Sequence, residues 1–122
     1  MAKLAMGELE AAVMDVLWGA AGPLTPGQVQ EVLSADRSLA YTTVMTVLVR
    51  LWQKGRVGRE SHGRAYAYHP LQSREAYAAL RMGEVLGTTK DRRLALNYFV
   101  AGLLPAERTR LRRLLEPGEK RP

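Results

Sequence analysis

The stretch AYTTVMTVLVRLWQKGRVGRESHGRAYAYHP, residues 40–70, is the part of the chain from which the fold follows. Its first half has a helical period. Val44, Val47, Leu48 and Leu51 fall at i, i+3, i+4 and i+7 and form one apolar stripe. At 3.6 residues per turn, Thr42, Thr46, Val49 and Gln53 fall on the opposite side. Thr43 and Arg50 lie on one shoulder of that side, Met45 and Trp52 nearer the other. The outward face therefore carries hydroxyls, an amide and small apolar groups, where an ordinary solvated face carries Glu and Lys pairs. Threonine hydroxyls can hydrogen-bond base edges, and their methyls or Val49 can touch a thymine methyl. A surface helix that is merely rich in threonine shows the same pattern.

The second half predicts a hairpin. Gly55 suits the left-handed position that stops a helix. Residues 56–60 and 65–69 read as two short strands joined by Ser61-His62-Gly63-Arg64, with Gly63 supplying a positive φ. Tyr66 and Tyr68 alternate with Ala65 and Ala67, so one strand face is aromatic and the other small. His62 and Arg64 sit at the tip, where they would meet phosphates or a minor groove. A plain surface hairpin with a solvated arginine is the other reading, and the preceding helix favours a wing. If the partner is DNA, Thr42, Met45 and Thr46 face outward from the front turns and would read bases. Tyr41, Thr43, Arg50 and Arg64 would position the backbone, the first two near a helix N-terminus whose free N–H groups favour phosphate.

Upstream, residues 8–18 predict a helix with Leu9, Val13, Val16 and Leu17 on one face and Gly19 at its exit. A turn with Gly22-Pro23 follows. Thr25 is a natural N-cap, Pro26 fits N1, and Gln28 completes a capping box. Val29, Val32 and Leu33 continue the apolar stripe of that second helix. Downstream, Ser73 can cap a helix to about residue 86, ended by Gly87, and residues 91–101 and 105–116 predict two more. Leu94, Tyr98, Ala101 and Leu104 line one face of the middle run; Leu96, Phe99, Val100 and Leu103 line others. A helix apolar on most sides must be covered on most sides. A two-fold partner would cover it, and so would folding back on the N-terminal part of the same chain. The dimer reading draws on Leu94, Tyr98, Phe99, Val100, Leu103, Leu104, Leu111, Leu114 and Leu115. The fold class expected is mainly α with a small β-hairpin wing. A winged helix-turn-helix over residues 1–71 would be followed by a helical dimerisation arm over 72–122, with a short disordered tail at 117–122.

Composition bounds the partners. The 122 residues carry a formal charge of +6, with an isoelectric point near 10.1, a balance that favours polyanions. Residues 1–55 hold four basic against five acidic groups, residues 56–74 four against one, and residues 75–122 ten against six. The hairpin is the densest basic segment. There is no cysteine, which excludes disulfides, thiol catalysis and thiolate metal sites. His62 and His69 alone make a poor metal site, so neither metal nor cofactor is expected. No apolar run spans a bilayer and no signal-peptide pattern opens the chain, so the expected location is the cytoplasm, without membrane insertion. An enzyme is not expected: Asp15, Asp36 and Glu60 are scattered, Glu8 and Glu10 diverge on one helix, and no Ser/His/Asp order or phosphate loop is present.

The run Thr42-Thr43-Val44-Met45-Thr46-Val47-Leu48-Val49-Arg50-Leu51, then Gln53-Lys54-Gly55 and Gly63-Arg64-Ala65-Tyr66-Ala67-Tyr68-His69-Pro70, closely resembles the BlaI/MecI penicillinase repressor family. Leu9-Glu10-Ala11-Ala12-Val13-Met14-Asp15-Val16-Leu17-Trp18 is similar to the family's start. The resemblance covers nearly the whole chain and is strongest over residues 9–70. It implies a homodimeric repressor of β-lactamase or related antibiotic-resistance operons, bound to double-stranded operator DNA. It also implies a membrane receptor-protease that detects a β-lactam, after which the repressor is cut in its C-terminal arm between an Asn and an aromatic. Asn97-Tyr98 occupies the comparable region, with Phe99 one residue later. The copper-responsive branch senses metal through C-terminal cysteines, which this chain lacks. Two other readings stand beside this one: a winged-helix regulator of unrelated genes released by a ligand, and a winged helix used for protein contact.

Overall fold

The structure is a computed structural model and describes residues 6–35 and 38–118. Among the described residues it is mainly helical with one antiparallel hairpin: α1 (Met6–Gly19), α2 (Pro26–Leu33), α3 (Tyr41–Gln53), β1 (Val57–His62), β2 (Ala65–Pro70), α4 (Arg74–Gly87), α5 (Arg92–Ala101) and α6 (Pro105–Leu115). They fall into two compact units, one ending at Ala79 and the other starting at Leu80.

The first unit is built on α3. Val44, Val47, Leu48 and Leu51 are each no more than 1% exposed, the stripe that the spacing predicts. Leu9, Val13 and Leu17 of α1 close over it, with Val29 and Leu33 of α2, and Val57 and Tyr68 of the hairpin. Met14 is also fully buried, although it lies beside the predicted α1 stripe. Val16 is half-buried. Val32 departs from expectation at 54% exposed. The eight-residue α2 packs through Pro26, Val29 and Leu33, and Val32 falls off that contact arc. Its capping box is as predicted: the Gln28 N–H donates to Thr25 Oγ1 at 3.3 Å, and the Thr25 N–H to Gln28 Oε1 at 2.9 Å.

The hairpin pairs from Val57↔Pro70 to His62↔Ala65. Its connection is therefore the two residues Gly63-Arg64, shorter than the four expected, and Ser61 and His62 belong to β1. Gly63, at φ +65°, occupies the first central position. That is the pattern of a II′ turn, whose twist matches that of the strands and lets them pair to the tip. The predicted aromatic face points inward only at its base, where Tyr68 is buried while Tyr66 stays exposed. An isolated antiparallel bridge joins Leu24 to Tyr68 of β2. The Leu24 N–H donates to the Tyr68 carbonyl at 2.9 Å and the Tyr68 N–H to the Leu24 carbonyl at 2.7 Å, which anchors the α1–α2 turn to β2.

Two polar attachments join distant parts of the sequence. The Glu10 carboxylate, 4% exposed, accepts hydrogen bonds from Lys54 Nζ at 3.1 and 2.9 Å, tying α1 to the end of α3. The Trp18 indole N–H donates to the Gln72 carbonyl at 2.8 Å, and its ring meets Tyr77 edge-on at 5.4 Å. Arg74 lies over Trp18 and pairs with Asp15. The first turns of α4 are thereby fastened to α1.

In the second unit, local chemistry sets the helix starts. The Asp91 carboxylate accepts the Leu94 N–H at 3.0 Å, and Glu107 Oε1 accepts the Leu104 N–H at 2.8 Å. In the first unit, Ser73 Oγ likewise accepts the Ala76 N–H at the head of α4, at 3.1 Å. Of the tail expected at 117–122, residues 119–122 lie outside the described residues. No helix among the described residues is long and apolar enough to cross a membrane.

The Glu10–Lys54 pair gives a stability test. Lys54→Met leaves a buried carboxylate without its cation and is expected to lower the unfolding free energy by about 1–3 kcal/mol. Asp15→Asn, in an exposed pair, is expected to change it by less than about 1 kcal/mol. Urea midpoints at constant slope measure both.

Candidate nucleic-acid interface

Burial of one stripe of α3 turns the opposite side to solvent. Tyr41, Thr42, Thr46 and Arg50 are exposed, and Thr43 and Met45 are half-buried on the flanks. The α3 sequence carries no acidic group. Its N-terminus is open: Ala40 at the N-cap offers no side-chain acceptor, so first-turn N–H groups remain available to an anion. The contrast with α2, closed by its capping box, is local. Gln30 Nε2 instead holds the Leu39 carbonyl at 3.0 Å, fixing the approach to α3.

Thr46 Oγ1 donates to the Thr42 carbonyl at 2.8 Å. This back-bond commits the hydroxyl proton and leaves Thr46 an acceptor beside a methyl group.

The tip of the hairpin presents His62 and Arg64, both exposed. His69 lies four rungs below, opposite Gly58, and its ring packs where a Gly58 Cβ would be, at 2.6 Å. Four rungs separate the two histidines by about 13 Å. Among the described residues no group of three or more His, Asp or Glu gathers closely enough to hold a metal ion.

Arg59, Trp52 and Tyr66 form a feature that the sequence reading missed. The Arg59 guanidinium lies 3.6 Å from the Trp52 ring centroid and 4.0 Å from that of Tyr66. Strand register offers part of the signal, because Arg59 faces Tyr68 and so lies diagonal to Tyr66. The partner on α3 has no sequence signature.

In the second unit, Leu94, Tyr98, Phe99, Val100, Leu104 and Leu115 are exposed, and Leu103, Leu111 and Leu114 are half-buried. Neither α5 nor α6 contains a buried residue. Asn97 and Tyr98 lie within α5, both exposed, Tyr98 at 72%. A separate apolar cleft of about 510 Å³ lies between α4 and α5, lined by Met82, Val85, Leu86, Leu96 and Phe99 among others.

Three helices, a hairpin with a basic tip and an acid-free outward helix face define a winged-helix, DNA-binding transcription regulator. The family model described as penicillinase repressor matches residues 6–117. Two relatives named transcriptional regulator BlaI, from Mycobacterium tuberculosis strains CDC 1551 / Oshkosh and ATCC 25618 / H37Rv, are each 46% identical over 119 residues. The match spans 94% of this chain and 86% of each relative. The solved DNA-binding domain of the repressor BlaI is 27% identical, with a TM-score of 0.52 over 62% of this chain and 88% of that one. The chain belongs to the penicillinase repressor family, whose members are transcriptional regulators and not enzymes.

The wing turn can be tested by itself. A Cβ at Gly63 meets nothing within 4 Å, so only its φ of +65° opposes a side chain. Gly63→Ala is expected to destabilise by about 1–2 kcal/mol, and Gly63→Asn by less. Chemical denaturation checks the order of the two variants.

Proposed function

We propose that the protein is a homodimeric repressor that binds a palindromic operator and is released by proteolysis of its C-terminal arm. Residues 1–71 serve as the DNA-binding part and residues 72–122 as the dimerisation arm, in the cytoplasm. The observation that carries the DNA half is the outward face of α3: uncapped at its N-terminus, free of acidic groups, and followed by a basic hairpin tip. In this reading Thr42, Met45 and Thr46 meet bases, while Tyr41, Thr43, Arg50, His62 and Arg64 hold phosphates on either side. The family membership supports operators of β-lactamase and other antibiotic-response genes as the targets.

Thr46→Ala is expected to weaken binding to a selected operator by about 1–3 kcal/mol and to random DNA by less. Arg64→Ala is expected to weaken both and to lower the salt slope of binding by about one. Titrations of each variant against both duplexes at several salt concentrations measure this. Equal losses on the two DNAs for Thr46→Ala contradict base reading. A salt-insensitive interaction favours a protein-contact module.

The arm supports the dimer half. The ten-residue α5 has no buried side chain in the single chain, and isolated helices shorter than about 12–15 residues are marginal in water. A second chain would cover Leu94, Tyr98, Phe99, Val100 and Leu104 and stabilise the helix. Release follows from the energetics. A single module buries on the order of 600–1,000 Å² against DNA, and linking two raises affinity by about 10²–10⁴-fold. Cutting at Asn97–Tyr98, by a membrane receptor-protease or a protease downstream of it, removes Phe99, Val100, Leu103, Leu104, Leu111, Leu114 and Leu115 from each chain.

A truncation ending at Asn97 tests the switch. The fragment is expected to sediment as a monomer and to lose operator affinity by about the same 10²–10⁴-fold, with its DNA face unaltered. A fragment that stays dimeric at full affinity sinks the mechanism. The apolar cleft between α4 and α5 then becomes the place to look for a releasing ligand.

A further inference from the structure

The outer half of the hairpin is weakly held by packing. Ser61, His62, Gly63, Arg64 and Tyr66 are all exposed, and Ala65 is half-buried. Below them Val57, Ala67 and Tyr68 are buried, and Leu24 anchors the base of β2. A two-stranded hairpin without such packing is marginal in water. The attachment farthest toward the tip is the Arg59 guanidinium, 3.6 Å from the ring centroid of Trp52 in the last turn of α3 and 4.0 Å from that of Tyr66 on β2. One planar cation thus joins the recognition helix to both strands of the wing. Each ring face occupied by a cation at a solvent-exposed site shifts a two-state equilibrium by about two- to fivefold. Two faces acting together shift it by roughly four- to twenty-five-fold.

We propose that Arg59 is a positioning residue: stacked between Trp52 and Tyr66, it fixes the wing tip relative to α3 and so sets the spacing between the bases read by the helix and the phosphate held by Arg64. The inference rests on the interface proposed above. Loss of the stack frees the tip, and Arg64 then finds its phosphate only part of the time. The competing role for Arg59 is direct contact between its guanidinium edge and a phosphate. Lysine separates the two, since it keeps the charge and loses the planar stack.

The test is a double-mutant cycle in the full-length protein. Affinity is measured on a duplex selected from random-sequence DNA by the wild-type chain. One phosphate contact is worth about fivefold in affinity near physiological salt, so Arg64→Ala is expected to weaken wild-type binding by about that factor. Arg59→Lys is expected to weaken it by a similar factor, and the double variant to be no weaker than Arg59→Lys alone, within about twofold. Hydroxyl-radical footprints are expected to lose protection at the wing-contacted backbone in Arg59→Lys and to keep it where α3 binds.

Trp52→Leu provides a second route, because it removes one ring and leaves Arg59 charged. It is expected to abolish the effect of Arg64→Ala in the same way. Thermal melting of each variant confirms that the fold is intact. Full affinity in Arg59→Lys, or additive losses of about twenty-five-fold in the double variant, would overturn the inference while leaving the interface standing. If neither Thr46→Ala nor Arg64→Ala weakens binding, the interface itself is wrong and the inference goes with it.

Discussion

Val44, Val47, Leu48 and Leu51 are held at exposures of 1% or less between α1, α2 and the hairpin. A helix has one angular degree of freedom about its axis, and burying four side chains along one stripe removes it. The direction of Thr42 and Thr46 is then a consequence of core packing, with no contribution needed from the residues that would touch DNA. Replacing Leu48 with alanine removes buried methyl groups and would loosen that rotation, at a cost of about 2–5 kcal/mol. The same burial explains why the outward face can be chosen for chemistry. Its β-branched threonines are indifferent helix formers, and the core stripe holds the helix in their place.

The features legible in the sequence are those written within a few residues of each other. The α3 stripe, the Thr25–Gln28 capping box, the stop at Gly55, the Ser73 cap and the positive φ of Gly63 each depend on neighbours up to one or two turns away. The features that were not legible join residues far apart. Glu10 meets Lys54 and Trp18 meets Gln72 across separations of 44 and 54 residues. Glu10 reads as one more solvated acid on an amphipathic helix until α3 is laid beside α1. Val32 departs from its stripe for a related reason: period gives the faces of a helix, but the width of the buried arc is set by the neighbours. The shortened wing turn could have been found, because Gly at the first position of a two-residue loop is itself a II′ signal.

The candidate site divides in the same way. Exposure of Tyr41, Thr42, Thr46, Arg50, His62 and Arg64 follows from period and turn chemistry. Two properties of the site arise only in three dimensions. The back-bond from Thr46 to the Thr42 carbonyl changes what its hydroxyl can offer, and no helical wheel reveals a rotamer. The stacking of Arg59 on Trp52 joins α3 to β1 across the Lys54-Gly55 corner, where two different periodicities meet and neither predicts the other's register.

The two units of the chain solve the problem of stability differently. In the first, a three-helix core, a hairpin anchored by Leu24 and two part-buried polar attachments hold the elements together around one buried apolar cluster. In the second, Asp91 caps α5 and Glu107 accepts the Leu104 N–H at the head of α6, yet α5 and α6 bury no side chain. Caps contribute about 1 kcal/mol each, which is enough to fix where a short helix begins and too little to hold it in water. In the proposed dimer a second chain would supply the apolar contact that these helices lack. Under the proposed release mechanism this would couple the second unit to assembly: a partner covering α5 would also shield Asn97 from any protease that needs the chain unwound. Cleavage would then be governed by the fraction of chains whose α5 is uncovered, and a repressor bound pairwise to DNA would be the slowest form to be cut.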